Sequence, residues 1–445
     1  VVGLFNGGIS AGNLTGLVTL IDQGASVADL SNRLATGSLF TDKILGGNFT
    51  VQNKVNVMMN NFGLVADSDP TSAGSQAEQF FTNTISGGVG LGAIVNEAVN
   101  FLSQDNVPAA FAATAALLDN KAVVAEIYAG RNPPDNFATM IALLADVTAA
   151  SPATRDDAIA FVDIFDANKI SLTSGVDNIT GTSEIDIFTV DQNTAASEDT
   201  LIGGDGQDIL RLFNTQTTPN ISGIEKVVYI SPGQVDFNFF DVSSFADVTS
   251  FELKNTTAFN FGTIQTSPGQ AVTLTNIVGK GVVNKTNIRM RGEDSSLDLT
   301  LDQVDFLNQG KLTFINADFD KTVTDLRTLN LTLVNNPSSL EIELLNTGLE
   351  TLNIVGDQDF TARLTFPAMI DASSASGNIE IVGSFERDIT FKGGSGDDRV
   401  EMGKHLSPGD ILMGGAGIDT LSVSHFVRST FSSVPDFTNI SEFEI

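Results

Sequence analysis

The chain contains no cysteine and no tryptophan, and only two of its 445 residues are histidine. The absence of cysteine excludes disulfide bonds and thiolate metal sites. A secreted protein that lacks disulfides needs another means of stabilising its fold, and a bound metal ion can serve that purpose.

Basic residues are scarce as well. There are 23 Lys and Arg against 54 Asp and Glu, which gives a formal net charge of -31. This balance argues against nucleic acid as a partner, because phosphate binding requires clustered Lys and Arg. An anionic surface of this kind needs high salt or divalent cations to offset its self-repulsion. Calcium is the natural candidate, because it binds oxygen ligands.

Long hydrophobic runs are also missing. No stretch of about 18 apolar residues occurs, so the sequence predicts no membrane-spanning helix. The apolar fraction is nevertheless 42%, which is enough for folded cores, and the length indicates about two to three domains. Because the sequence begins at Val1 without methionine and stops at Ile445 within an apparent strand, we expect a fragment or a processed form of a longer protein.

The first part of the chain has the periodicity of helices. Apolar residues recur at intervals of three and four, which we interpret as core-packing faces of helices. Ser10, Ser26 and Thr50 lie at expected N-caps, and Ser151-Pro152 is expected to start a last helix. We predict an all-α domain over residues 1–168. The stripes are Leu14, Leu17, Val18 and Ile21; Val51, Val55, Met58, Met59 and Phe62; and Leu91, Ile94, Val95 and Leu102.

From residue 169 onward the pattern changes to that of short strands. Asn, Thr, Ser and Gly become more frequent, and β-branched residues alternate with polar ones, as in 251–255 and 271–278. Many short strands at close intervals favour a stacked architecture, although a sandwich remains an alternative. The repeats described next favour the stack. The predicted fold is therefore a multidomain α+β protein, with a β-solenoid or parallel β-roll over residues 169–445.

Aspartates of the second part recur at a spacing of nine residues. Three pairs show this spacing, at 177 and 186, at 199 and 208, and at 410 and 419. A large apolar residue lies two positions after each Asp, as Leu210 does after Asp208. A seventh copy, GGSGDDRVE, contains Asp398. The copies match the nonapeptide G-G-x-G-x-D-x-U-x of calcium-binding parallel β-rolls, in which U is a large apolar residue.

Each letter of this nonapeptide has a physical role. Glycine adopts backbone conformations that other residues avoid and brings carbonyl oxygens close to a cation. The aspartate supplies a charged oxygen ligand, and the U residue fills the core. One turn offers half a site, so we expect the cation between stacked turns. A single copy is as readily an ordinary glycine turn, but seven regularly spaced copies favour calcium binding.

The repeats fall into two arrays, at 172–211 and 393–422, and the pattern is degenerate. Only 203–208, 393–398 and 414–419 have all their glycines, whereas Glu184 replaces one glycine in the first array. We therefore expect only a handful of Ca²⁺ ions. The predicted metal-binding residues are Gly175, Asp177, Asp186, Asp199, Gly203, Asp205, Asp208, Gly393, Ser395, Asp397, Asp398, Asp410, Gly414, Ala416 and Asp419.

Three stretches resemble a known family. The first runs from Gly175 to Glu225, the second covers 349–400, and the third is the closing repeat at 410–445. Here the chain resembles secreted bacterial RTX proteins and, more narrowly, the calcium-dependent surface-layer (S-layer) proteins of Gram-negative bacteria, of the Caulobacter type. Together the stretches cover roughly a third of the chain.

The resemblance implies a structural protein that is secreted by a type I route and folds outside the cell as calcium binds. It implies self-assembly into a two-dimensional lattice on the outer membrane. It also implies that the N-terminal helical domain binds lipopolysaccharide or another surface glycan. The chain departs from the family in having no recognisable C-terminal secretion tail, which agrees with the expectation of a fragment.

Two other functional classes are alternatives. An RTX adhesin or other calcium-dependent binding protein would share the calcium turns, but it would usually carry longer uninterrupted nonapeptide arrays. An enzyme is disfavoured, because the sequence contains no metalloprotease, nucleophile-elbow or phosphate-loop motif. His405 and His425 are interpreted as surface residues. Asp357 with Asp359, or Asp318 with Asp320, would be a carboxylate pair of the glycosidase kind, but close acidic pairs arise by chance in so acidic a chain.

Overall fold

The chain forms two compact units, Val1–Ala167 and Asn168–Ile445. The computed structural model describes every residue except 105, 134, 216, 236–238, 260–262, 280–284, 291–294, 307–310, 317–325, 335–340, 344–348, 365–367, 384–386, 404–405, 424–435 and 445. His405, His425, Asp318 and Asp320 therefore lie outside the described residues.

The first unit is helical. Nine α-helices are found among its described residues, together with a π-helical segment at Leu39–Ile44 and a 3₁₀ turn at Ala109–Phe111. None of the helices described is long and apolar enough to cross a membrane. The α-helices are α1 Val2–Phe5, α2 Ala11–Asp22, α3 Val27–Thr36, α4 Val51–Asn61, α5 Ala73–Ser86, α6 Leu91–Leu102, α7 Ala112–Gly130, α8 Phe137–Leu143 and α9 Arg155–Asp166.

Side-chain caps set the starts of several helices. The predicted caps at Ser10, Ser26 and Thr50 are confirmed, since each hydroxyl accepts a hydrogen bond from the backbone three residues on. The prediction that the last helix begins at Ser151-Pro152 is wrong. It begins after Thr154, because Thr154 and Asp157 form a reciprocal capping box with bonds of 3.0 and 3.1 Å.

Two of the three predicted apolar stripes face the core of this unit. Val55, Met58 and Phe62 are buried in one cluster with Ile94 and Val95. The stripe on α2 is not a core face, because no residue of that helix is buried and Val18 remains 48% exposed. Periodicity reveals that one face of a helix is apolar, but it does not reveal whether another element covers that face.

The second unit is a parallel β-solenoid. Every strand pair that the structure describes is parallel, so the alternative of an antiparallel sandwich is wrong. Successive strands alternate between two faces of the solenoid. One face is a thirteen-stranded sheet, and the other consists of a three-stranded and a ten-stranded sheet. The predicted order of a helical region followed by a β-solenoid is confirmed.

The strands of the thirteen-stranded sheet are β1 Asn168–Ser171, β3 Asp186–Asp191, β5 Ile209–Phe213, β7 Lys226–Val235, β9 Ser250–Phe259, β11 Ala271–Gly279, β13 Ser295–Phe306, β15 Leu326–Val334, β17 Thr351–Gly356, β19 Met369–Ala375, β21 Thr390–Lys392, β23 Ile411–Met413 and β25 Asp436–Thr438. The three-stranded sheet contains β2 Asn178–Thr180, β4 Thr200–Ile202 and β6 Asn220–Ser222. The ten-stranded sheet contains β8 Phe239–Asp241, β10 Thr263–Thr266, β12 Lys285–Met290, β14 Lys311–Asn316, β16 Glu341–Glu343, β18 Phe360–Leu364, β20 Ile379–Gly383, β22 Arg399–Glu401, β24 Thr420–Ser422 and β26 Glu442–Glu444.

The core of the solenoid consists of apolar columns. Because side chains alternate between the two faces of a strand, every second residue points inward. In-register pairing places equivalent inward residues directly above one another, as Phe188 on Leu210 and Leu210 on Val227. All three are fully buried, and each such side chain contributes roughly 1.5–3 kcal/mol by burial. The columns hold the turns at the sheet edges in fixed register.

This packing yields a testable contrast on strand β11. Leu274 is fully buried between Leu253 and Leu301, whereas its neighbour Thr273 points to the other side and is half-buried. Leu274→Ala should lower the free energy of unfolding by about 2–5 kcal/mol, because it leaves a cavity. Thr273→Ala should lower it by less than about 1 kcal/mol. Urea denaturation followed by circular dichroism measures both, and equal losses would contradict the inward and outward assignment.

Candidate metal-binding turns

The nonapeptide copies lie at the two edges of the solenoid, where the chain passes from one sheet to the other. Asp199 ends the passage from β3 to β4, and Asp208 ends the passage from β4 to β5. Since β4 lies in a different sheet from β3 and β5, copies nine residues apart lie at opposite edges. Six of the copies stack instead in pairs that are 21 or 22 residues apart, which are Asp177 with Asp199, Asp186 with Asp208, and Asp398 with Asp419.

At one edge, acidic side chains form a hydrogen-bonded column. The carboxylate of Asp208 accepts a bond of 2.8 Å from the backbone N–H of Asp186. The carboxylate of Glu225 accepts one of 2.7 Å from the backbone N–H of Asp208. Asp186 and Asp208 are fully buried. Glu225 was missed as a site residue, because the turn at 223–225 is too short to show the nonapeptide pattern.

A second column lies among the later turns. Asp398 accepts a bond of 2.8 Å from the backbone N–H of Ile379, and Asp419 accepts one of 2.9 Å from that of Asp398. At the opposite edge, Asp410 accepts a bond of 2.9 Å from the backbone N–H of Ile389. In each case one carboxylate oxygen joins two stacked turns, which leaves the second oxygen for another role.

The second carboxylate oxygen is unsatisfied at two positions. Oδ2 of Asp208 and Oδ2 of Asp419 are buried and have no hydrogen-bond partner. Burying an ionised oxygen without a partner is costly, so such an atom requires an explanation. By contrast, Oδ2 of Asp398 accepts a bond of 2.8 Å from the backbone N–H of Gly394.

One backbone carbonyl of the next turn lies close to each of these oxygens, because the residue beside them is a glycine. A Cβ added at Gly203 would overlap both Oδ2 of Asp208 and the carbonyl oxygen of Gly223 in the next turn. A Cβ at Gly414 would likewise overlap Oδ2 of Asp419 and the carbonyl oxygen of Asn439. The turns therefore bring a carboxylate oxygen and a carbonyl oxygen to one point that only glycine leaves open.

Burial and neighbouring charges raise the pKa of four of these acids. Burial, followed by repulsion from Asp419 and Asp397, raises the pKa of Asp398 to about 6. Burial is likewise the largest cause of the raised pKa of Asp208, Asp410 and Asp419. These four carboxylates would therefore be stabilised in their ionised form by a nearby cation.

Most of the remaining predicted residues occupy less enclosed positions, although Asp199 is fully buried. Asp177 donates its backbone N–H to Asp199 over 2.8 Å, which places these two in a third stacked pair. A Cβ added at Gly393 would overlap Oδ2 of Asp398 and the carbonyl oxygen of Gly414. Exposed turn positions are occupied by Gly175, Asp205, Ser395, Asp397 and Ala416.

A cation at the stacked turns would be coordinated mostly by backbone oxygens. Among the residues described, no three His, Cys, Asp or Glu side chains come together as a metal-binding group. Six turns instead contribute one buried carboxylate each, from Asp186, Asp199, Asp208, Asp398, Asp410 and Asp419. At Gly203 and Gly414 a carbonyl of the next turn lies beside that carboxylate. Calcium takes six to eight oxygen ligands in flexible geometry, including backbone carbonyls, so this donor set is of the type it uses.

Comparison of the chain with protein-family models, with curated proteins and with solved structures found no match.

The glycine positions lead to a matched pair of substitutions. Gly203→Ala should destabilise the solenoid and weaken metal binding, because the new methyl group would displace the carbonyl of Gly223. Gly175→Ala should have little effect, because the nearest atom to its Cβ would be Oγ1 of Thr173 at 3.6 Å. Thermal unfolding with and without calcium measures both. Equal melting temperatures of the two variants would show that the turn at Gly203 does not require glycine.

The raised pKa of Asp398 predicts a pH dependence in metal-free protein. Folded Asp398 holds its proton up to a pKa of about 6, whereas the unfolded side chain releases it near 3.8. Its contribution to stability is therefore fully present below pH 3.8 and is lost as pH rises through about 6.

The urea concentration at the unfolding midpoint is measured in the presence of a chelator, at pH values from 3.8 to about 6. As the pH rises, this midpoint should fall less steeply in Asp398→Asn than in the wild type. Asp357→Asn is the control, because Asp357 is exposed and is not one of the charges that act on Asp398. An identical slope for the wild type and Asp398→Asn would contradict the shifted pKa.

Proposed function

We propose that the chain is a calcium-stabilised structural protein of a bacterial surface layer. The observation that carries the calcium part is the pair of buried Oδ2 atoms, on Asp208 and Asp419, which lack a partner and face carbonyls of the next turn. The surface-layer part is supported by the resemblance of 175–225, 349–400 and 410–445 to that family.

The turns would bind calcium through carboxylate and backbone carbonyl oxygens. Asp208 and Asp419 would each supply Oδ2, and the stacked glycine turns would supply backbone carbonyls. Bound calcium would supply positive charge against buried carboxylates. Extracellular calcium modules work at about 10⁻⁴–10⁻³ M. Sites of that affinity would leave the chain largely unfolded in a calcium-poor cytoplasm and favour its folding outside the cell by mass action.

The remaining parts of the proposal follow the family resemblance. The protein would be secreted by a type I route and located on the cell surface. Copies would associate with one another in a two-dimensional lattice, and the helical unit would bind lipopolysaccharide or another surface glycan. Residues 1–165 contain 6 Lys and Arg against 15 Asp and Glu, so recognition of the glycan would use neutral sugars or bridging calcium rather than a basic patch.

No enzymatic activity is proposed. Asp359 accepts a hydrogen bond of 2.8 Å from the backbone N–H of Asn378 in the next turn. Asp357 accepts one from its neighbour Gln358. Both acids are exposed at a turn, and their contacts are those of turn-capping residues.

Calcium titration of matched variants tests the metal sites. Asp208→Asn should lower the apparent calcium affinity by about tenfold, or about 1.4 kcal/mol, because it removes a buried charged oxygen. Asp205→Asn removes the same charge from an exposed position in the same turn and should have a much smaller effect. Circular dichroism and melting temperature report the binding. Equal calcium responses in the two variants would contradict the assignment of Asp208.

Negative-stain electron microscopy of the same samples tests the assembly. Ordered sheets that form only with calcium would support a surface layer. Calcium-dependent folding with monomeric particles that bind a target would instead favour an RTX adhesin. No response of folding or stability to calcium would overturn the metal sites together with the layer proposal.

A further inference from the structure

A cavity of about 250 Å³ lies within the helical unit. Its wall is formed by the end of α4, by α5 and α6, and by the start of α7. Five phenylalanine rings contribute to this wall: Phe62, Phe80, Phe81, Phe101 and Phe111. We propose that this cavity binds a neutral aromatic small molecule of about ten carbon atoms.

The size of the cavity is the first argument. Protein cores are packed about as densely as organic crystals, and a void deprives its lining atoms of contacts. An apolar cavity of about 150 Å³ already binds benzene. Scaling by volume, a cavity of about 250 Å³ accommodates about ten carbon atoms.

The geometry of the rings is the second argument. Phe62 and Phe81 are 2% exposed and stack with their centroids 6.0 Å apart, which makes them the inner part of the wall. Phe101 and Phe111 are half-buried and meet edge to face at 5.2 Å. The wall thus presents ring faces and ring edges, and an aromatic ligand gains from both beyond the area it buries.

Charge at the cavity limits the ligand to a neutral one. Glu97 and Gln76 are the exposed polar members of the lining, and no Lys or Arg belongs to it. An anionic ligand would face the carboxylate of Glu97 without a compensating cation, and the whole chain carries a net charge of -31. A cationic group would lose its hydration among the five phenylalanine rings without a buried partner, because Glu97 is exposed. A polar group on the ligand would therefore be uncharged and lie toward Gln76.

Small residues keep the cavity open. Ala77 on α5 and Ala98 on α6 both line it. A leucine at position 98 would project three more carbon atoms into the space. The nearby Ala115 packs against the same core cluster but does not line the cavity, so it offers a matched control.

Indole is a suitable probe, because the full chain contains no tryptophan whose emission would overlap with it. Indole titrated with the full chain should show a saturable blue shift of its emission as it leaves water. Ala98→Leu should weaken binding at least tenfold, whereas Ala115→Leu should leave it within about twofold. Circular dichroism and melting temperature establish that both variants are folded.

A second variant tests the charge argument without altering the packing. Indole-3-acetate should bind several-fold more weakly than indole to the wild type, and Glu97→Gln should reduce that difference. The absence of a saturable blue shift with the wild type would overturn the proposal. Equal indole affinity in folded Ala98→Leu and Ala115→Leu would overturn it as well, because the bound probe would then lie elsewhere.

Discussion

Burial of carboxylates at stacked turns is the constraint on which the second unit depends. Asp186, Asp208, Asp398, Asp410 and Asp419 are almost completely removed from solvent. Each joins two turns through one oxygen, so that the same acids that specify the stacking also accumulate negative charge along the solenoid edge. Hydrogen bonds from backbone N–H groups offset part of the free-energy cost of burying these charges, and a cation would offset the remainder.

The glycines and the apolar columns are consequences of this arrangement. Carboxylates can approach the carbonyls of a neighbouring turn only where no side chain intervenes, as at Gly203 and Gly414. The turns keep this separation because the strands on either side are in register, with residues such as Leu210 and Leu421 buried immediately after the turn. Packing and electrostatics are therefore coupled, because the apolar columns fix the distance between turns at which the carboxylates meet the neighbouring backbone.

The β-solenoid and the positions of its acidic turns could be predicted from the sequence, because the turn pattern and the two-residue alternation of strands are local. The helix caps at Ser10 and Thr50 are local in the same sense. Two features could not be predicted. The exposure of α2 depends on what the rest of the unit covers, and the contribution of Glu225 depends on which turn lies beside Asp208. Both are relations between distant segments, and neither leaves a periodic signal in the sequence.

The stacking distance determines how the solenoid can change in length. The acids of the two columns join turns that are 17 to 22 residues apart, while the visible repeat is nine residues long. Insertion or deletion of one nonapeptide would transfer every later strand to the opposite sheet and place each acid above a turn of the wrong edge. Insertion of a full circuit of the chain would preserve both sheets. Duplication during the evolution of such a chain is thus constrained to whole circuits of the solenoid, although the repeat that is visible in the sequence is the shorter nonapeptide.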